Sequence, residues 1–175
     1  MISRKAVLVP ALSIMLAGMA LLPAAQASET IGSVPTIRAR DLKGKRFDLK
    51  ETLKSGPAIV TFWATWCKPC LKELPELQKL REEFKDQGLS IVAINGDGPV
   101  DAAKIKPFVR AKKYDFKVIL DGDGNLRRRL QVEVFPTTYL VDRDGEIRHR
   151  QVGYRQGDEK ILREAVTALL AETTP

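Results

Sequence analysis

"FWATWCKPCLKELP", residues 62–75, holds both cysteines of the chain, Cys67 and Cys70, in Cys-x-x-Cys spacing. The run Ala58 to Ala64 (AIVTFWA) is short and almost wholly apolar, as a strand buried on both faces is. From Pro69 to Lys85, Cys70, Leu74, Leu77, Leu80 and Phe84 recur at helical spacing, with charges on the other face. Cys67 therefore falls between the end of a buried strand and the start of a helix. There the first backbone N–H groups are unpaired and the helix dipole is positive, so a thiolate is stabilised. Lys68 adds a positive charge beside the sulfur, and Pro69 suits a first turn because its missing N–H is not required. Such surroundings lower a cysteine pKa from roughly 8.5 toward about 3.5 to 7.5. Cys70, one turn in, shares the face that carries the apolar positions and is expected to be buried and less acidic. Position alone thus separates an attacking thiol from a resolving one.

Two other uses of the pair compete with redox chemistry. A structural disulfide across so short a loop would constrain the unfolded chain little, because stabilisation grows with loop length. A zinc site wants four Cys, His or carboxylate ligands, and His149 is the single histidine of the chain. A Cys-x-x-Cys that follows a buried strand and opens a helix points to dithiol chemistry.

The N-terminus bears on where that chemistry happens. Arg4 and Lys5 precede an uncharged run from Ala6 to Leu22, and Ala25-Gln26-Ala27 places small residues at the −3 and −1 positions of a cut. Residues 1–27 read as a secretory signal peptide, with an uncleaved membrane anchor as the alternative. Either way the remainder is exported, to the periplasm or another extracytoplasmic compartment where disulfides persist. Cleavage would leave 28–175 as one domain, long enough for a real core, and would lower the net charge from +7 to +5. The basic runs Arg127-Arg128-Arg129 and Arg148-His149-Arg150 could face an acidic partner or a membrane surface, but most such runs are simply solvated faces. Nucleic acid is not an expected partner outside the cytoplasm.

The remaining pattern predicts a small hairpin from Thr36–Arg40 and Lys45–Leu49, and strands at 89–94, 117–120, 137–141 and 147–153. A helical turn is predicted at Glu51 to Lys54, and helices near 101–113 and 126–130 and over 158–170. Strands alternating with helices, closed by a hairpin at Asp142 to Gly145, predict a mixed α/β sheet with helices on both faces. "DGDGN" (121–125) has acidic spacing like a calcium loop, but lacks the glycine and the closing glutamate and is read as a turn.

The run Trp63 to Cys70, followed by Glu73 and Pro75, resembles the active site of the thioredoxin superfamily, in particular the exported TlpA/ResA/CcmG-type thiol-disulfide oxidoreductases. The resemblance covers nearly the whole chain after residue 27. It includes the N-terminal hairpin, the extra helix and strand between Asp101 and Leu120, and "VFPTTYLVDRDGEI", in which Phe135-Pro136-Thr137 matches the superfamily's cis-proline loop.

The resemblance implies a thioredoxin fold and protein disulfide substrates such as apocytochrome c or a copper-site assembly protein. It also implies a membrane thiol-electron donor and no cofactor beyond the cysteine pair. Trp66, Phe135, Pro136 and Thr137 would then meet substrate, while Trp63 belongs in the core. Cytoplasmic thioredoxins carry a buried aspartate before the Phe-Trp of the strand, and here that position is Thr61. Glu73, three residues after Cys70 on the same helical face, is expected to substitute as a desolvated carboxylate that takes the Cys70 proton. A Sco-like copper site built from the two thiols and His149, or net thiol oxidation, are the rival functions.

Overall fold

The computed structural model describes residues 31–172. Its elements run β1 (Arg38–Arg40), β2 (Arg46–Asp48), α1 (Leu49–Leu53), β3 (Ala58–Trp63) and α2 (Lys68–Phe84). They continue with β4 (Ser90–Asn95), α3 (Ala102–Ala111), β5 (Lys117–Leu120), α4 (Asn125–Arg129), β6 (Thr137–Val141), β7 (Ile147–Val152) and α5 (Asp158–Glu172). The signal-peptide reading falls on residues 1–27 and lies outside the described residues. Among those described, no helix is long and apolar enough to cross a membrane.

Five strands form the central sheet in the order β5-β4-β3-β6-β7. β3 pairs parallel with β4, and β4 with β5, whereas β6 runs antiparallel to both β3 and β7. β3 sits in the middle and every one of its residues is buried, as its apolar composition requires. Its side chains alternate between the two faces. Ile59 and Trp63 enter a core shared with Leu74, Leu77 and Leu80 of α2, Ile105 of α3, and Leu162 and Val166 of α5. Ala58, Val60 and Phe62 enter a second core with Ile37, Phe47, Leu49 and Leu53 from the N-terminal segment and Leu126 and Leu130 around α4. The layered α/β architecture expected from the sequence is the one observed.

The hairpin strands are shorter than predicted and stand as a separate two-stranded sheet. Local hydrogen bonding explains the difference. The Asp41 carboxylate accepts the N–H groups of Lys43 and Lys45, which turns the chain after Arg40. The Asp48 carboxylate accepts the Lys50 N–H, so α1 starts where the strand was expected to continue. Asp121 likewise accepts the N–H groups of Leu126 and Arg127 and caps α4, so "DGDGN" is a turn and helix start.

The chain enters β3 and β4 through two glycines in backbone contact. A Cβ on Gly56 would lie 2.4 Å from the Gly88 carbonyl oxygen, and one on Gly88 would lie 2.4 Å from the Ser55 carbonyl oxygen. Backbone on both sides leaves no flexible side chain to yield. Gly56→Ala and Gly88→Ala are each expected to cost about 2 kcal/mol or more in urea unfolding. Gly98, with open space around its Cα, is the control. Losses no larger than that of Gly98→Ala would refute the contact.

Candidate active site

β3 ends at Trp63, and the Cys67 N–H donates back to the Ala64 carbonyl as the chain turns into α2. Cys67 is the N-cap residue of that helix, its sulfur 3.2 Å from the Cys70 N–H, and Lys68 and Pro69 form the exposed first turn. The two sulfurs are joined in a disulfide. Cys67 retains 5% exposure while Cys70 has none. The geometry therefore gives the two sulfurs unequal access to a partner.

A second carboxylate that the sequence reading missed holds the loop in front of the pair. Asp97, just past the end of β4, accepts from the Thr65 N–H at 2.9 Å, the Thr65 hydroxyl at 3.0 Å and the Asn95 side-chain amide at 2.7 Å. Asn95 in turn accepts the Asp97 N–H. β3 and β4 are parallel neighbours, with Trp63 beside Asn95, so their carboxyl ends present the cysteine loop and this Asn-x-Asp pair side by side. The available signal was a short polar Asn-Gly-Asp immediately after a buried strand.

Phe135 and Pro136 precede β6, and the peptide bond between them is cis. Pro136 and Thr137 are buried, and the Thr137 hydroxyl donates to the Val134 carbonyl. The Phe135 ring lies 5.8 Å from the Trp66 ring. Its far edge lies so close to Gly96 that a Cβ there would come within 2.6 Å of the Cζ atom. Trp66, next to Cys67 in the chain, is 65% exposed, whereas Trp63 is buried and packs on Phe108. The loop, the tryptophan and the pair thus share one face of the molecule.

Beneath that face is Glu73, only 2% exposed. Thr61 of β3 and Thr138 of β6 are cross-strand partners on the sheet face that α2 covers. The Thr61 hydroxyl is 3.1 Å from one Glu73 carboxyl oxygen, the Thr138 hydroxyl 2.7 Å from the other, and the two hydroxyls are 2.8 Å apart. Three oxygen–oxygen contacts need three protons, and two hydroxyls supply two. Only with Glu73 protonated can the ring close, each group donating once and accepting once. Loss of water raises the Glu73 pKa from 4.5 to about 7; the hydroxyls oppose that shift and the Asp158 carboxylate adds to it.

His149 is not part of this constellation. It sits on β7 opposite Leu140, half-buried, with Nε2 unpartnered. Burial lowers its pKa. Among the described residues, no group of three His, Cys, Asp or Glu is placed to hold a metal, so His149 and the two thiols are not assembled into a copper site.

A cysteine pair at a strand-to-helix junction, facing a cis-proline loop on a mixed five-stranded sheet, defines a thioredoxin-like protein. The AhpC/TSA family pattern matches residues 32–150, and the chain belongs to that family. It is 36% identical over 113 residues to the thiol-disulfide oxidoreductase ResA of Bacillus thuringiensis, a match covering 65% of this chain and 64% of that one, just under two thirds of the relative. It is 31% identical over 132 residues to the sporulation thiol-disulfide oxidoreductase A of Bacillus subtilis, covering 74% of this chain and 79% of that one. A structure from Chlorobium tepidum, assigned as a thiol:disulfide interchange protein DsbE, superposes with a TM-score of 0.74 at 26% identity. That alignment covers 82% of this chain and 99% of its counterpart.

The raised pKa of Glu73 has a consequence for stability. The folded protein binds the proton more tightly than the unfolded chain, so the stabilising contribution is fully present below pH 4.5 and is lost as pH rises through about 7. The full shift corresponds to on the order of 3 kcal/mol. Glutamine keeps the shape and one set of donors without the charge. Urea unfolding of the oxidised protein should therefore find Glu73→Gln close to the parent at pH 4 and more stable than it at pH 8. An equal difference at both pH values would show that Glu73 does not titrate in this window.

Proposed function

We propose that this protein is an exported thiol-disulfide oxidoreductase that reduces specific protein disulfides by dithiol–disulfide exchange. The observation that carries the reading is the unequal placement of the two sulfurs on one helix turn, one reachable at the N-cap and the other sealed above a buried carboxyl. In the reduced protein the Cys67 thiolate attacks one sulfur of a substrate disulfide. That S–S bond breaks, a mixed disulfide forms, and the released substrate thiolate takes a proton. Glu73 then accepts the Cys70 proton. The Cys70 thiolate attacks the Cys67 sulfur, the second substrate thiolate leaves, and the Cys67–Cys70 disulfide remains. Two electrons have passed to the substrate, and a membrane thiol-electron donor returns them.

The N-terminal pattern of residues 1–27 supports an extracytoplasmic location, with or without a retained tether. Substrates in this reading are cysteine pairs of an apocytochrome c or of a copper-site assembly protein. Trp66, Phe135, Pro136 and Thr137 would receive the substrate segment, with the backbone before the proline open to strand-like pairing. Lys68 and Pro69 set the electrostatics and geometry of the first turn, so they modulate the attacking thiol.

Trapping tests the order of attack. With substrate present, Cys70→Ala is expected to accumulate mixed disulfides through Cys67, and Cys67→Ala essentially none. Equal trapping by the two variants would sink the assignment.

The proton step has its own signature. The rate of substrate release from the mixed disulfide should rise with pH through an inflection near 7, where Glu73 becomes a base. In Glu73→Gln that inflection should vanish and release should slow by about 10² to 10⁴. Stopped-flow Trp66 fluorescence against pH reads both, and an unchanged profile would return Glu73 to a structural role.

A further inference from the structure

The two basic runs of the sequence divide in the fold. Arg129 donates to the Thr36 carbonyl, and Arg148 is paired with Asp142 and Glu172, so these two serve the scaffold. Arg127 and Arg128 project from the exposed side of α4 while Leu126 and Leu130 face the core. Arg150 of β7 lies opposite Tyr139 of β6, whose hydroxyl donates to the Leu130 carbonyl, so it stands on the sheet face that α4 covers. Arg127, Arg128 and Arg150 thus converge from distant sequence positions on one open groove of about 820 Å³. That volume holds several side chains rather than one ion.

Among the described residues, Glu133 is the one acid lining this groove. Val134 and Val152 also line it and are 50% and 52% exposed. Among the described residues, neither the Arg127 nor the Arg150 side chain has a carboxylate partner. The groove is continuous with the disulfide face through Phe135, whose ring packs against Trp66 on one side and lies 6.0 Å below the Arg127 guanidinium on the other. An excess of unpaired cations beside apolar surface is complementary to an extended segment bearing carboxylates and an apolar side chain.

We propose that this groove docks an acidic, extended segment of the protein whose disulfide Cys67 attacks, with Arg127 and Arg150 meeting its carboxylates. The inference rests on the thiol-exchange reading and adds the chemistry of the substrate. The ring contacts of 5.8 and 6.0 Å in series bound the reach from Trp66, the residue before Cys67, to the Arg127 guanidinium at the length of roughly four extended residues.

The experiment uses the reduced protein and three synthetic peptides, each closed by an internal disulfide. Roughly four residues from the cysteine they carry two Asp, two Gln or two Lys. The Asp peptide is expected to be reduced about tenfold faster than the Gln peptide at low ionic strength, and the Lys peptide more slowly than either. In about 0.5 M salt the ratio should fall toward one. In Arg127→Gln/Arg150→Gln it should fall at low salt as well, with the urea midpoint reporting an intact fold. The ratio within one variant cancels changes in the thiols themselves.

Equal rates for the Asp and Lys peptides, or an Asp preference that survives the double substitution, would overturn the proposal while leaving thiol exchange standing. Should no peptide be reduced, the thiol-exchange reading fails. The groove is then tested by titrating a cysteine-free Asp peptide into Cys67→Ala/Cys70→Ala protein, where no binding, or binding indifferent to the two arginines, overturns it. Arginine-dependent adsorption to phosphatidylserine vesicles without any peptide preference would assign the patch to a membrane surface and overturn it too.

Discussion

A carboxyl group sealed between α2 and the middle of the sheet organises this molecule. Glu73 is shut off from bulk water, and its hydrogen-bond partners come from the strands beneath as two threonine hydroxyls in register across β3 and β6. The register that aligns Thr61 with Thr138 also aligns Phe62 with Thr137, which brings the start of β6, and hence Phe135 and Pro136, to the end of β3 where the cysteine loop begins. The leucines of α2 hold the helix down, each contributing about 2 kcal/mol by burial. Apolar packing thus offsets the desolvation of one ionisable group, and that group lies one helical turn below the inner thiol.

The same arrangement accounts for the departure from cytoplasmic thioredoxins. Where those proteins place a buried aspartate on the strand, this chain has Thr61, fully buried, and the acid is supplied from the helix instead. A threonine can donate to a carboxylate or accept from a carboxylic acid by rotating one bond. The site therefore accommodates both protonation states without moving the backbone. An ammonium or guanidinium in that position would have favoured the charged form alone.

Much of this is legible in the amino-acid sequence, because the fold rests on strong local signals. The unbroken apolar run of β3, the helical period of α2 and the Asp-Gly turn before β7 each specify one element, and the elements formed within a few residues of expectation. The hairpin was less legible because its ends are set by carboxylate caps at Asp41 and Asp48, a competition between strand and turn that periodicity does not record. Glu73 was legible as a same-face neighbour of Cys70, but its threonine partners depend on cross-strand register and were not. Asp97 was missed for a related reason: its partner Thr65 is 32 residues away, and only the parallel pairing of β3 with β4 brings them together. The convergence of Arg127 with Arg150 likewise belongs to topology.

The two buried carboxylates near the disulfide differ in what surrounds them, and the difference separates their duties. Asp97 accepts from a backbone N–H and a side-chain amide N–H, donors that cannot turn round to accept a proton in exchange, with a hydroxyl as the third. Those fixed donors suit a carboxylate that anchors the loop carrying Trp66 and Cys67. Glu73 meets hydroxyls alone, and both can reverse direction. Partners that reorganise at little cost in either state suit a group that exchanges a proton. Glu73 therefore sits among partners that tolerate either protonation state, and Asp97 among donors that fix the loop before Cys67, although the two side chains are equally buried.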